Sequence, residues 1–147
     1  CQPITALAED FADYPAEIYS GRTSLPDFTG AQKDFAWYKT RLGTAAKRTA
    51  PEFAGSWVVE QIGCGMSCTS TYVVDHRSGA IAVLPVGGEE QQGVILYHRP
   101  TSSLMKATWF EDSWFDGPFM IGEWAFEDGT FRELSIVQHE PRDDCKH

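Results

Sequence analysis

A mainly β, α+β domain is the fold class this sequence predicts: a single curved antiparallel meander of six or seven strands with one packed N-terminal helix. Three observations predict it. Beyond Pro51 the chain becomes a series of short runs rich in Val, Ile, Tyr, Trp and Phe, separated by turn residues. The connections between these runs are too short for helical crossovers, so consecutive strands must pair antiparallel. Ahead of Pro51 lies one stretch with helical spacing, and 147 residues are enough for one domain with a normal core.

Residues 1–28 form an expected extended lead, because Pro3, Pro15 and Pro26 break any long helix. One short helical turn is expected near Leu7–Phe11. The β-rich domain then occupies 29–147. Its helix is expected over about 31–48, with Thr29 as N-cap and Gln32 closing a capping box. Phe35, Tyr38, Leu42 and Ala45 recur at helical spacing. Pro51 ends the helix, since the residue before a proline is driven out of helical conformation. The expected strands are Ser56–Ile62, Thr69–Asp75, Ala80–Leu84, Gly93–His98, Leu104–Phe110, Phe119–Phe126 and Phe131–Gln138. Arg77-Ser78-Gly79 and Glu127-Asp128-Gly129-Thr130 read as hairpin turns, where Gly and Asp tolerate positive φ.

A net charge of −9 argues against nucleic acid and against an anionic membrane surface. It favours a cationic partner. The charge is uneven: residues 1–30 carry five acids against one base, 31–50 one acid against five bases, and 51–147 fifteen acids against six bases. The basic stretch falls on the expected helix and reads as a solvated face docked on the acidic remainder. No run reaches the ~20 apolar residues of a membrane span. Cys1 opens the sequence, as a lipid-bearing cysteine opens a mature bacterial lipoprotein. The alternative is a processed secreted chain that begins on cysteine. Both place the protein outside the cytoplasm, secreted or periplasmic.

Cys64 and Cys68 lie in a glycine-rich bend between two strands. A metal clip needs two further ligands at a sensible spacing, and the four histidines form no paired motif. A thioredoxin-like redox pair needs two intervening residues and a helix N-terminus. A disulfide needs only Cα atoms within about 7 Å, so it is the favoured reading, with free thiols, metal and redox chemistry left behind it. Cys1 and Cys145 make a second pair, or Cys1 carries lipid and leaves Cys145 free. No metal and no cofactor is expected.

Phe53-Ala54-Gly55-Ser56-Trp57, Gly63-Cys64-Gly65-Met66-Ser67-Cys68 and Val73-Val74-Asp75-His76-Arg77-Ser78-Gly79-Ala80-Ile81 together resemble a group of secreted or periplasmic bacterial domains. The shared pattern is an N-F-A-G-x-[YW] strand, a W-G-C-G-x-x-C bend and an I-x-D-x-x-T-G-K hairpin. Pro15-Ala16-Glu17-Ile18-Tyr19 is similar as well, so the likeness spans about residues 14–85. This chain departs from the pattern with Ile62 for the tryptophan and Ser78 for the threonine. The resemblance implies export and a disulfide. It implies no activity, because the group has none assigned.

Four aromatics and three acids share the nine residues Trp109 to Gly117. Trp109, Glu111, Asp112, Trp114, Phe115 and Asp116 are therefore the candidate binding residues, suited to a cationic protein or to polysaccharide. The alternative places the rings in the core and the acids in solvent. Glu111, Asp112, Asp116 and Glu123 are the acids available to a glycoside hydrolase, which needs two of them across a cleft. His76 falls in a turn and is expected to be exposed. No Ser-His-Asp order and no Gly-x-Ser-x-Gly elbow is present. The loop Gly87 to Gly93 lacks the lysine of a phosphate-binding loop. The expected function is non-enzymatic: an exported inhibitor or immunity protein against a cationic, cell-wall-degrading enzyme. The alternatives are a carbohydrate-binding module, a weak hydrolase, or a structural envelope domain without a ligand.

Overall fold

The computed structural model describes residues 9–66, 68–111 and 117–139. Seven strands are present: β1 Trp57–Gly65, β2 Cys68–Asp75, β3 Ile81–Gly87, β4 Gln91–Tyr97, β5 Leu104–Glu111, β6 Phe119–Glu127 and β7 Thr130–His139. Each matches an expected run and is longer than it by one or two residues. They form two antiparallel sheets, β1-β2-β3 and β4-β5-β6-β7, in sequence order. The meander is thus divided, where one continuous sheet was expected. Two features of the β3–β4 junction account for the division. Pro85 has no N–H to donate to a further neighbour. Gly87 and Gly88, at φ 140 and 86, swing the chain away, and Gly88 N–H is committed to Thr69 O at 2.9 Å.

The sheets face one another across the main core. Trp57 and Val73 come from the first sheet, Met105, Trp109, Trp124 and Phe126 from the second. Trp109 and Trp124 stack with centroids 6.0 Å apart. Burial of each such side chain contributes about 1.5–3 kcal/mol.

The expected 31–48 helix is shorter and in two parts. A 3₁₀ segment, Lys33–Tyr38, runs into α1, Lys39–Ala46. The expected capping box does not form. Asp27 accepts from both the Thr29 N–H (3.1 Å) and the Thr29 hydroxyl (3.0 Å), and the Gln32 side chain instead accepts from Ile81 N–H on β3 at 3.3 Å. Leu42, Ala45 and Ala46 pack on Val58, Ile62 and Val74 of the first sheet. The basic residues dock as the charge pattern suggests. Arg41 Nε binds Glu60 at 3.0 Å, and Arg48 binds Glu60 and also Glu52 at 2.9 Å.

The lead is extended, with one 3₁₀ turn at Phe11–Asp13. From Glu9 onward it is hydrogen-bonded into the fold. Ala16 N–H donates to Thr101 O, Tyr19 N–H to Gly55 O and Ser24 N–H to His76 O, each at 2.8 Å. The first residues of this strap, Glu9 to Tyr14, lie against the outer face of the second sheet, and the rest runs past Gly55 to the β2–β3 turn. Beneath those first residues lies an ion pair, Lys106 Nζ to Glu123 Oε2 at 3.4 Å, with both residues at 2% exposure or less. Glu9 N–H donates to Glu123 Oε2 at 3.1 Å, Ser135 Oγ to Glu123 Oε1 at 3.2 Å, and Lys106 lies over the Phe11 ring at 5.3 Å.

Among the described residues no helix is long and apolar enough to cross a membrane.

Candidate functional site

Three separated segments meet at one end of the molecule. The first is the bend at Ala54 and Gly55, which takes φ 52 and 84. Their N–H groups donate to Ser102 O (3.0 Å) and Pro100 O (2.8 Å). A Cβ on Gly55 would collide with the carbonyl oxygen of Glu17, so glycine lets the strap approach closely. The second is the β2–β3 turn, organised by Asp75. Its carboxylate accepts from Arg77 N–H (3.0 Å) and from Ser78 Oγ (2.8 Å). Gly79 closes the turn at φ 77, where a side chain would strike Leu25 O. The third is the β6–β7 turn, in which Asp128 and Gly129 take φ 51 and 76. Two successive positive φ values are the mark of a type I′ hairpin turn.

Between these turns opens a cleft of about 570 Å³. Trp57 and Phe126 form its floor, edge to face at 4.7 Å. Ser56, Ser103 and Asp75 line it, and Arg77 and Asp128 stand at its two lips. The Arg77 guanidinium lies over the Tyr19 ring at 4.9 Å. Asp75 is a framework residue, since both its oxygens hold the turn. The arrangement can receive a ligand that offers charge at its ends and an apolar middle.

The sequence-predicted site residues do not converge here. Trp109 is 1% exposed and belongs to the core, so it offers no surface for stacking. Its Nε1 donates to Glu111 Oε1 at 2.7 Å, and Gln91 Nε2 donates to the same oxygen at 3.1 Å. Strand alternation explains this placement: Met105, Ala107 and Trp109 share the inner face of β5. Asp112, Trp114, Phe115 and Asp116 lie outside the described residues. Glu123 is on the outer face of the second sheet, while Glu111 bonds the inner-face Trp109. These two acids therefore do not flank a common cleft.

Cys64 and Cys68 are joined, with Cα atoms 5.1 Å apart. Cys1 and Cys145 lie outside the described residues. His76 corrects the expectation of exposure: it is 4% exposed, and its Nε2 has no hydrogen-bond partner. Its backbone links Ser56 and Ser24, which draws the ring inward. His98 Nδ1 contacts Glu52 O at 2.9 Å. Among the described residues no group of three or more metal-ligating side chains is assembled.

Sequence reasoning missed the cleft because Arg77 and Asp128 were read only as turn residues. A signal was nonetheless present. Pro15, Ala16, Ala54, Ser56, Trp57 and the Asp75-to-Ala80 turn, through Asp75, Arg77, Ser78 and Ala80, belong to the motifs that carry the resemblance and border the cleft. The cysteine bend is at the far end of β1 and β2. No family model, curated protein or solved structure matches this chain.

Proposed function

We propose that this protein is an exported, non-enzymatic binding protein whose acidic surface occupies a cationic protein. In concrete form it is an inhibitor or immunity protein against a cell-wall-degrading enzyme. The supporting observation is how the fold distributes its charges. Arg41, Arg48, Lys106 and Arg132 are all held in internal ion pairs, and Arg77 and Arg99 lie over aromatic rings. Asp13, Glu17, Glu89, Glu90, Asp128 and Glu133 point to solvent. Arg22, Lys33, Lys39 and Lys47 also point to solvent, three of them on or beside the helical segment, so the surface offered to a cationic partner is the acidic remainder away from that segment. The Cys64–Cys68 disulfide and the likeness to exported bacterial domains support export.

The test is affinity capture on immobilised protein from periplasmic and secreted extracts, eluted with rising salt and identified by mass spectrometry. One stoichiometric basic protein, released as salt rises, is the expected result. A partner whose catalytic activity is indifferent to the complex would remove the inhibitor form. Retention unchanged at high salt would remove the electrostatic basis.

Polysaccharide binding is the second reading, and one observation favours it. Trp37 is 89% exposed on the 3₁₀ segment, an indole face open to a sugar ring. Trp37→Ala should then abolish retention on insoluble polysaccharide while leaving the thermal midpoint unchanged. Equal retention by both proteins would discard it.

A further inference from the structure

We infer that the cleft between the hairpin tips binds a small zwitterion, either the free ends of a short peptide or an α-amino acid. This goes beyond the cationic-protein reading and does not depend on it.

Two opposite charges stand on the two lips, Arg77 on the β2–β3 turn and Asp128 on the β6–β7 turn. Both are exposed, and no ion pair joins these two described residues. The Arg77 guanidinium rests on the Tyr19 ring, and Asp128 is set in a type I′ turn. A ligand with a carboxylate at one end and an ammonium at the other satisfies both lips at once. Its apolar side chain then meets the floor of Trp57 and Phe126. A volume of about 570 Å³ falls within the range of small-molecule sites, roughly 300–1,000 Å³. The lining is also biased. Asp75 and Asp128 against Arg77 leave one net negative charge, so the ammonium end contributes more than the carboxylate end.

The test is a titration of the full ¹⁵N-labelled chain with the dipeptide Ala-Phe and with free phenylalanine, followed by amide shifts. Saturable shifts at Arg77, Ser78, Asp128 and Gly129 below about 10 mM ligand are expected. N-acetylation should weaken binding about tenfold, and C-terminal amidation by less. Asp128→Asn keeps the turn, because Asn tolerates positive φ, and should erase the preference for a free amine. Arg77→Gln should erase the preference for a free carboxylate. A stronger response to phenylalanine than to Ala-Phe would identify the amino acid as the ligand, and the reverse order the peptide. Absence of shifts for both ligands, shifts elsewhere on the chain, or equal affinity for the doubly blocked dipeptide would overturn the inference.

Discussion

The two sheets share one core but are covered differently on their outer faces. The three-stranded sheet is covered by α1 and the 3₁₀ segment before it. Repeating side chains let that cover meet apolar with apolar: Leu42, Ala45 and Ala46 on Val58, Ile62 and Val74, with Phe35 and Tyr38 around Tyr72. The four-stranded sheet is covered by the strap, which contributes one buried ring, Phe11, and backbone N–H groups. Beneath it, Lys106 and Glu123 face each other in direct cross-strand register. A helix supplies an apolar stripe every turn. An extended segment supplies polar backbone, and the surface under it keeps a buried ion pair beside apolar neighbours such as Leu104 and Ala125.

The sharpest way to break this comparison is to remove one member of the buried pair. Lys106→Met should destabilise the protein by about 4 kcal/mol, because the buried Glu123 carboxylate loses its countercharge and keeps the hydrogen bonds from Glu9 N–H and Ser135 Oγ. The double variant Lys106→Met with Glu123→Leu should recover most of that loss, read as urea midpoints in a double-mutant cycle. Additive losses would mean that the two charges act separately.

Leu42→Ala tests the helix-covered face and should cost about 3 kcal/mol, since a fully buried side chain leaves a cavity. Chemical denaturation measures it, and no charge compensation should rescue it.

Phe11→Ala should cost less than about 3 kcal/mol, because the strap can lift locally without opening the core. Its effect should be concentrated in faster hydrogen exchange at Ala16 and Ser103, which bond across the strap. Uniform acceleration over the whole domain would show instead that strap and core open together.

The smallest effect is at alkaline pH. Burial, reinforced by Tyr38, raises the Tyr72 phenol above its ordinary value of 10.0. The unfolded chain ionises first, so the stability associated with this group is intact below 10.0. It falls as pH rises from there toward the folded value. Tyr72→Phe should flatten that decline in urea midpoints measured between neutral and alkaline pH.

All seven strands were legible because each carries a local signal: β-branched and aromatic runs closed by Gly, Asp and Pro. The I′ turn at Asp128-Gly129 and the bend at Cys64–Cys68 were legible for the same reason. The helix was over-extended, because Thr29 and Gln32 satisfy a capping pattern that Asp27 and Ile81 break through partners outside the helix. The cleft was not legible as a site. Arg77 and Asp128 lie far apart in sequence, and each serves a turn well enough to need no further explanation. Trp109 was ambiguous until its strand was placed, since one step of alternation carries a side chain from solvent to core.

By itself, the sequence determined the β class, the positions of the strands along the chain, the positions of the turns and the surplus of negative charge. These follow from residue chemistry over a few neighbouring positions. Tertiary structure alone decided that the meander divides into two sheets and that the lead lies over a buried ion pair. It also decided that two hairpin tips of opposite charge close on one cleft. Each of those outcomes depends on contacts between residues distant in the chain, and local propensity carries no information about which distant surfaces will meet.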